Sequence, residues 1–306
     1  MATKTALTRL AAIILILLPL ASSRTSLADD GKYLFAYFKG NGEDGLHLAE
    51  STDGYSWRAL AGDSAVLAPM VGGKLMRDPC IIAGHDGLYH MVWTVGWDAQ
   101  SIGYAHSTDL VHWSEQRLLH VMGHEPNARN CWAPEITYDS ATDSFIIYWA
   151  STITGKFTET EEPEEANNSH RIYCTTTKDF ITFSDPQLLF EPGFSVIDAT
   201  ILPHDSKYLM FAKNETLHPE CKYIFMASAD KITGPYHITA QRITGNYWCE
   251  GPTVLMRDGH VIVYFDKYTE HRYGAVESTD LKTWHDISHK VTFPDGARHG
   301  SVIVLP

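Results

Sequence analysis

The feature that most constrains the fold of this 306-residue sequence is a short segment that recurs along the chain. Three copies share Ser-Thr-Asp with an aromatic residue four positions after the Asp, and two copies are looser. The copies are "STDGYSW" (51–57), "STDLVHW" (107–113), "TKDFITF" (177–183), "SADKITGPY" (228–236) and "STDLKTW" (278–284). They start 56, 70, 51 and 50 residues apart. That period is typical of β-propeller blades, each of which is a four-stranded sheet.

Strand patterns fall within each of these intervals. Runs rich in Ile, Val, Tyr, Phe and Trp alternate with Gly, Asp and Asn turns, and helical periodicity is absent after residue 28. The first interval, for example, contains "PCIIA", "LYHMVWTV" and "SIGYAHS", with a fourth strand near "EQRLLH". The sequence therefore predicts an all-β fold.

The two ends of the chain complement each other. Residues 33–60 supply outer strands without a preceding inner strand, whereas residues 298–306 supply an inner strand with no outer strands after it. We therefore predict a five-bladed β-propeller whose fifth blade is closed by the N-terminal strands plus the C-terminal strand. Two stacked β-sandwiches are the alternative architecture, but they do not explain five phased repeats.

The first 28 residues have the pattern of a secretory signal peptide. Basic residues precede an apolar stretch at 10–21, and Ser-Leu-Ala at 26–28 offers a small-residue cleavage site. The apolar stretch is short for a membrane span, which needs about 20 residues. We expect cleavage near Ala28 and a secreted or periplasmic protein, in which residues 29–306 form a single propeller domain.

Charge narrows the classes of partner. The net charge is −13, and residues 1–28 contain basic but no acidic residues, so their removal makes the protein more acidic. An acidic surface disfavours nucleic acids and anionic membranes. We expect neither as a partner, and we expect a monomer. The five cysteines have the spacing of neither a disulfide framework nor a zinc site, and are predicted to be mainly buried thiols.

Acidic residues begin several of the predicted inner strands. The inner strands of a propeller run in the same direction, so their first residues meet at one mouth of the central channel. The five starts read "RDP" (77–79), "WAPE" (132–135), "IDA" (197–199), "EGP" (250–252) and "RHGS" (298–301). We therefore expect Asp78, Asp198, Glu250 and His299 to converge.

Three converging carboxylates have a specific chemical use. They repel one another, which raises the pKa of at least one of them. A protonated acid opposite an ionised one suits inverting glycoside hydrolysis, in which the acid protonates the leaving oxygen and the base activates water. For any single acid, the alternative is a strand-end cap that accepts hydrogen bonds from backbone amides.

With this ordered series of motifs the chain resembles glycoside hydrolase family 43, the arabinanase, arabinofuranosidase and β-xylosidase group, over nearly all of residues 29–306. The resemblance implies a catalytic domain that cleaves arabinose-, xylose- or galactose-type linkages with inversion. It implies that Asp78 is the general base, Glu250 is the general acid, and Asp198 tunes the pKa of the acid and orients the substrate.

The resemblance also implies a metal ion, and the chain differs from the family pattern at one position. The resemblance implies that His299 contacts a hydrated cation, often Ca²⁺, in the central channel, although the chemistry itself requires no cofactor. The family commonly has Ile-Asp-Pro where this chain has Ile197, Asp198 and Ala199. This exchange alters the entry of the strand more than the chemistry of the acid.

Other residues at the ends of strands are predicted to bind a carbohydrate. The predicted set is Trp97, Trp132, Trp248, Arg77, Arg298 and Glu135. The indole rings of the tryptophans can stack on sugar rings or pack in the core. The guanidinium groups of the arginines can bind sugar hydroxyls or neutralise acidic side chains. Glu135 either supports the residues that contact the sugar or has a purely structural role. An acidic insertion at 152–171 is placed on the same rim, either as a pocket wall or as a mobile loop.

Three alternative functions stay open. A fructan hydrolase of the same architecture would carry an early Asn-Asp-Pro motif, which "RDP" does not match. A glycoside phosphorylase needs a basic cluster for phosphate, and the predicted rim is not clearly basic. A non-catalytic carbohydrate-binding propeller has no need of three converging carboxylates.

Overall fold

The computed structural model describes residues 33–305, so the predicted signal peptide at 1–28 lies outside the described residues. Within that range the protein contains twenty β-strands and three short 3₁₀ helices, at Ala61–Asp63, Thr158–Thr160 and Pro163–Glu165. No helix in this part of the chain has the length and hydropathy needed to cross a membrane. The predicted all-β class is confirmed.

The strands form five antiparallel sheets of four strands each, which are the blades of a propeller. The strands of each blade are given from the centre outward. The first blade contains β4 (Arg77–Ala83), β5 (Tyr89–Thr94), β6 (Ile102–Ser107) and β7 (Arg117–Leu119). The second contains β8 (Trp132–Asp139), β9 (Ser144–Ser151), β10 (Arg171–Thr177) and β11 (Gln187–Phe190). The third contains β12 (Val196–His204), β13 (Lys207–Asn214), β14 (Tyr223–Ala229) and β15 (His237–Ala240). The fourth contains β16 (Glu250–Arg257), β17 (His260–Lys267), β18 (Arg272–Ser278) and β19 (His285–Asp286). The fifth contains β20 (Arg298–Val304), β1 (Tyr33–Phe38), β2 (His47–Ser51) and β3 (Arg58–Ala59).

The fifth blade joins the two ends of the described chain. Strand β20 pairs antiparallel with β1, with Leu34 opposite Ile303 and Ala36 opposite Ser301. The inner strands β4, β8, β12, β16 and β20 each contact the inner strands on either side, which completes the ring. The predicted closure of the propeller by its two ends is confirmed.

The recurring segment forms a turn after the third strand of a blade. In the first copy, Ser51 Oγ accepts a hydrogen bond from the Gly54 amide, and Asp53 Oδ1 accepts from the amides of Tyr55 and Ser56. The copies that start at 107, 177 and 278 make the same bonds. The repeat is thus visible in sequence because short polar side chains satisfy the backbone of each turn.

The hydrophobic core lies between the blades. Five clusters of buried apolar side chains each fill the space between two adjacent sheets. Between the first and second blades, for example, Phe180 stacks on Tyr104 and packs against Phe145. Each fully buried side chain of this size contributes about 1.5–3 kcal/mol by leaving water. The packed blades hold the starts of the inner strands around the central channel.

Candidate active site

All five inner strands begin with the same irregularity. The pairing register of β4, β8, β12, β16 and β20 shifts near the start of each strand. The residues Asp78, Ala133, Asp198 and Gly251 lie within these bulges and have φ angles of +51°, +45°, +55° and +59°. A bulge re-aims a side chain, and Asp tolerates left-handed φ angles better than most residues.

The fourth blade places its acid one residue earlier than the first and third blades do. Gly251 occupies the bulge, and an added Cβ there would lie 2.3 Å from the ring of His299, so no larger residue fits without displacing that ring. Glu250 therefore stands where Arg77 stands in the first blade.

A cavity of about 470 Å³ lies at the mouth formed by these strand starts, which is within the usual size of a ligand site. Nine of the ten predicted site residues line it, namely Arg77, Asp78, Trp97, Trp132, Asp198, Trp248, Glu250, Arg298 and His299. The rest of the lining consists of Gly40, Asn41, Thr94, Glu165, Ile197, Lys213, Glu215, Lys222 and Tyr268. The structure thus brings together side chains from all five blades.

Glu135 is the predicted residue that the structure places elsewhere. Its buried carboxyl accepts a hydrogen bond from the Tyr148 hydroxyl at 3.1 Å and lines a second cavity, of about 380 Å³, farther along the inner strands. Burial raises the pKa of Glu135 to about 7. The prediction that Glu135 helps to bind substrate is therefore corrected, because the residue lies beyond the bulge and inside the channel.

Asp78 is held by two neighbours. Its Oδ2 accepts a hydrogen bond from Thr94 Oγ1 at 2.8 Å, and its Oδ1 lies 3.4 Å from His299 Nδ1. Thr94 is itself fixed, because its Oγ1 accepts a hydrogen bond from the Ala133 amide at 2.8 Å. The carboxylate of Asp78 is thereby oriented by groups from three blades.

Asp198 is the acid whose environment most favours a proton. Its Oδ2 accepts a hydrogen bond from the Gly251 amide at 3.0 Å and lies 3.8 Å from His299 Nδ1. Burial raises the pKa of Asp198 to about 7; the charge of His299 opposes this rise, and the charge of Glu250 adds to it.

Glu250 has the opposite tendency. One carboxylate oxygen lies 3.1 Å from Lys213 Nζ and the other 3.2 Å from Arg298 Nη2. Burial raises the pKa of Glu250, but the positive charges of Lys213, His299 and Arg298 outweigh burial and hold it below its ordinary value. Of these two acids, Glu250 is therefore the one that favours the ionised form in the free site, and Asp198 is the one that favours a proton.

His299 sits between the acids at the centre of the mouth. Burial lowers its pKa, but the charges of Asp198, Asp78 and Glu250 outweigh burial and raise it, which favours the imidazolium form. A protonated ring has no lone pair for a metal, and within residues 33–305 no three or more His, Cys, Asp or Glu side chains are placed so that they could hold a metal ion. These residues do not form a direct Ca²⁺ site, and a cation held through water stays a prediction from the resemblance.

The aromatic side chains form two patches on the wall. Trp132 Nε1 donates a hydrogen bond to the Trp97 carbonyl at 2.8 Å, and the two rings meet edge to face. Trp97 is 48% exposed, and the guanidinium of Arg77 stacks on it at 4.3 Å. Trp248 lies on the other wall beside Tyr268. The exposed face of Trp97 is available to a ligand, whereas Trp132 is partly committed to holding Trp97.

The two arginines differ in their partners. Arg298 donates to Asp266 Oδ2 at 2.7 Å and to Glu250, so it neutralises carboxylates. Arg77 instead donates to Asn41 Oδ1 at 3.0 Å and stacks between Phe38 and Trp97. Of the two roles considered for these residues, the structure matches charge neutralisation for Arg298, and it leaves several donors of Arg77 available at the pocket mouth.

The insertion at 152–171 forms part of the pocket wall. Its Glu165 lines the cavity and pairs with Lys222 Nζ at 2.8 Å. Its Glu162 Oε1 accepts hydrogen bonds from the amides of Leu217 and His218, which ties the insertion to the third blade. The insertion was predicted to be either a pocket wall or a mobile loop, and the structure matches the pocket wall.

Sequence reasoning missed some of the lining. Thr94 and Lys222 lie outside the strand-start motifs, and neither carries a local pattern that marks it. Thr94 ends the second strand of its blade, opposite the start of the inner strand at Arg77, and this position could have predicted that it lies at the mouth of the channel. Lys222 had no such signal, because its burial depends on an insertion more than fifty residues earlier in the chain.

Comparisons with known proteins agree with this fold. A family model related to glycoside hydrolase family 43, described as "Probable glycosyl hydrolase domain", matches residues 29–306. An α-L-arabinofuranosidase from Bifidobacterium longum subsp. longum is 24% identical over 216 residues, which is 63% of this chain and 20% of that protein. The chain thus spans about a fifth of the length of that relative.

Solved structures share the propeller fold. A thermostable family-43 glycoside hydrolase superposes with a TM-score of 0.55 at 17% identity, over 73% of this chain and 78% of that one. The α-L-arabinofuranosidase from Lactobacillus brevis gives 0.52 at 18% identity, over 70% and 72%. A family-43 protein from Bacillus licheniformis gives 0.54 at 22% identity, over 78% and 47%.

The family model covers nearly the whole chain, and the strand-start motifs within its span meet in one pocket of a five-bladed propeller. The protein therefore belongs to the glycosyl hydrolase family related to glycoside hydrolase family 43.

Proposed function

We propose that this protein hydrolyses glycosidic bonds of arabinose- or xylose-type residues in polysaccharides or oligosaccharides, with inversion at the anomeric carbon; galactose is the third sugar to test. The observation that carries the proposal is the meeting of Asp78, Asp198 and Glu250, from three different blades, in one pocket. Two carboxyl groups on opposite sides of a glycosidic bond are what inverting hydrolysis requires. The likeness to an α-L-arabinofuranosidase supports the choice of sugar.

In this mechanism Asp78 is the general base. Thr94 and His299 orient its carboxylate, which takes a proton from water as the water attacks the anomeric carbon. Glu250 is the general acid and protonates the departing oxygen. The pairing of Glu250 with Lys213 and Arg298 means that the leaving oxygen must displace at least one of these cations to reach the carboxyl.

Asp198 is the residue that exchanges a proton with Glu250. Asp198 and Glu250 influence each other's ionisation, so they titrate as a pair that holds a proton up to about pH 7. Displacement of a cation from Glu250 by the substrate moves that proton toward Glu250, because the carboxylate loses a positive neighbour. Asp198 thus acts as the modulator of the acid.

The same site bears on two alternative functions, a non-catalytic carbohydrate-binding propeller and a glycoside phosphorylase. A non-catalytic carbohydrate-binding propeller is favoured by one observation, the pairing of both Glu250 oxygens with cations, which suits a structural carboxylate. A phosphorylase is disfavoured, because Lys213, Lys222 and Arg298 already have carboxylate partners and leave little positive charge for phosphate.

The proposed activity is tested with nitrophenyl glycosides of arabinofuranose, xylose and galactose and with linear oligosaccharides, each with and without phosphate. We expect hydrolysis of an arabinoside or a xyloside, and NMR of the first product should show the anomer opposite to that of the substrate. Retention of configuration would contradict Asp78 as the base. Sugar binding by calorimetry without turnover of any substrate would instead support the binding propeller.

The variant Asp198→Asn tests whether Asp198 modulates the pKa of Glu250, and the measurement is the pH dependence of kcat/KM. Above about pH 7 Asp198 is ionised and its negative charge helps Glu250 to keep a proton, whereas below that pH it is largely neutral, as Asn is. We therefore expect the basic limb of the kcat/KM profile to move to lower pH, with the acidic limb in place. An unchanged profile in a folded variant would reduce Asp198 to a cap for the Gly251 amide.

The place of action is part of the proposal. Residues 1–28 have the pattern of a signal peptide, which supports action outside the cytoplasm on an extracellular polysaccharide.

A further inference from the structure

A continuous row of ion pairs runs from the insertion to the acid Glu250. Glu165 pairs with Lys222 at 2.8 Å, and Lys222 pairs with Glu215 at 2.9 Å. Glu215 in turn pairs with Lys213 at 2.7 Å, and Lys213 pairs with Glu250 at 3.1 Å. Each lysine of the row thus lies between two carboxylates.

Both lysines are buried. The side chains of Lys213 and Lys222 are 2% and 1% exposed, and their ammonium groups lie over the rings of Tyr268 and Trp248. Removal of a charge from water is costly unless the charge stays paired. The row therefore constrains where each ammonium group can move.

Lys213 has a second partner that lets it release Glu250. Its distance to Glu215 is shorter than its distance to Glu250, and all three groups lie in the pocket wall. An ammonium group that leaves Glu250 for Glu215 stays paired, so the movement does not strand a buried charge. Lys222 and Glu165 hold Glu215 at the place where it receives Lys213.

We propose that Lys213 is a positioning residue that holds the carboxylate of Glu250 in the free site and passes to Glu215 when the leaving oxygen of the substrate takes its place. This inference rests on the proposed function, in which Glu250 is the acid. It assigns a role to the insertion as well, because Glu165 anchors the far end of the row.

Other charged and titratable groups also face Glu250. They are Asp198 on β12, Asp266 on β17, Tyr268 after β17, Tyr273 on β18, Arg298 and His299 on β20, Glu215 after β13 and Cys249 just before β16. Loss of Lys213 leaves Arg298 and His299 as the positive neighbours of Glu250. The carboxylates of Asp198 and Asp266 then weigh more heavily against its ionisation.

The test follows the ionisation of Glu250 without using activity. In protein labelled with ¹³C at the Glu carboxyls, the Glu250 signal is identified by its loss in Glu250→Gln and titrated by NMR. We expect Lys213→Met to raise the pKa of Glu250 by about 1–3, because an opposite charge at this distance lowers the pKa of a carboxyl by that much. Lys213→Arg should restore most of the wild-type value.

Lys222→Met is the matched control, since it removes an equally buried lysine that is three ion pairs away from Glu250 along the row. We expect a smaller rise from it than from Lys213→Met. Equal rises in the two variants, or no rise in Lys213→Met, would overturn the proposal. Should Lys213→Met not fold, the double variant Lys213→Met/Glu215→Gln removes the pair together and is titrated instead.

Activity gives a second readout where the proposed function holds. Lys213→Met should move the basic limb of kcat/KM to higher pH, because the acid keeps its proton longer, and the acidic limb should stay in place. A wild-type protein that hydrolyses no glycoside would contradict the proposed function, while the NMR titration would still decide whether Lys213 controls Glu250. A limb that stays in place despite a raised pKa of Glu250 would show that Glu250 is not the acid.

Discussion

Asp78→Asn is expected to reduce hydrolysis of every substrate, natural or activated, by roughly 10²–10⁴-fold. The reason is that water must be activated whatever group leaves, and the amide of Asn cannot accept the proton. Asn can still accept the hydrogen bond from Thr94, so the fold should survive. The measurement is kcat/KM on an oligosaccharide and on a dinitrophenyl glycoside, with thermal unfolding as the check on folding.

Thr94→Val is the matched control for this loss. It removes the hydroxyl that orients Asp78 and leaves the carboxylate in place. We expect a smaller reduction than in Asp78→Asn, again equal for the two substrates. Comparable activity of Asp78→Asn and wild type on either substrate would remove Asp78 from the role of base.

Glu250→Gln is expected to nearly abolish cleavage of natural oligosaccharides while retaining much of the activity on an activated aryl glycoside. A general acid contributes roughly 10²–10⁴-fold by protonating the departing oxygen. A sugar alkoxide needs that proton, whereas a dinitrophenolate leaves without it. The ratio of kcat/KM for the two substrates, compared between variant and wild type, measures the effect.

Glu215→Gln provides the comparison within the same pocket. Glu215 also pairs with Lys213 and also lines the cavity, but it has no proposed contact with the leaving oxygen. We expect a smaller loss than in Glu250→Gln but in the same direction, because without Glu215 the ammonium group of Lys213 stays on Glu250 and hinders the protonation that a sugar alkoxide needs and a dinitrophenolate does not. An equal loss on both substrates in Glu250→Gln would mean that Glu250 serves binding or folding and is not the acid.

Much of the fold is legible from the sequence because its signals are local. The Ser-Thr-Asp segments repeat because each forms the same turn through side chains two or three residues from the backbone they bind. The strands between them show the residue preferences of half-buried sheets. The convergence of Asp78, Asp198 and Glu250 then follows from topology, since inner strands that run in one direction begin at one mouth.

Local pattern does not reveal depth along the channel. Glu135 belongs to a strand-start motif as the other acids do, yet it comes after the bulge at Trp132–Ala133, where Cys80 stands in the first blade, and so lies inside the channel beside Tyr148. A register shift of this kind depends on the pairing of two strands, and one strand's sequence does not specify it.

By itself the sequence determined the number of blades, their closure by the two ends of the chain and the set of acids at one mouth. The tertiary structure alone decided how these acids are ionised. Lys213 and Glu250 are 37 residues apart in sequence but 3.1 Å apart in space, and their pairing reverses the expected direction of the Glu250 pKa. Charge interactions depend on distance and on burial, and both arise only when the blades pack.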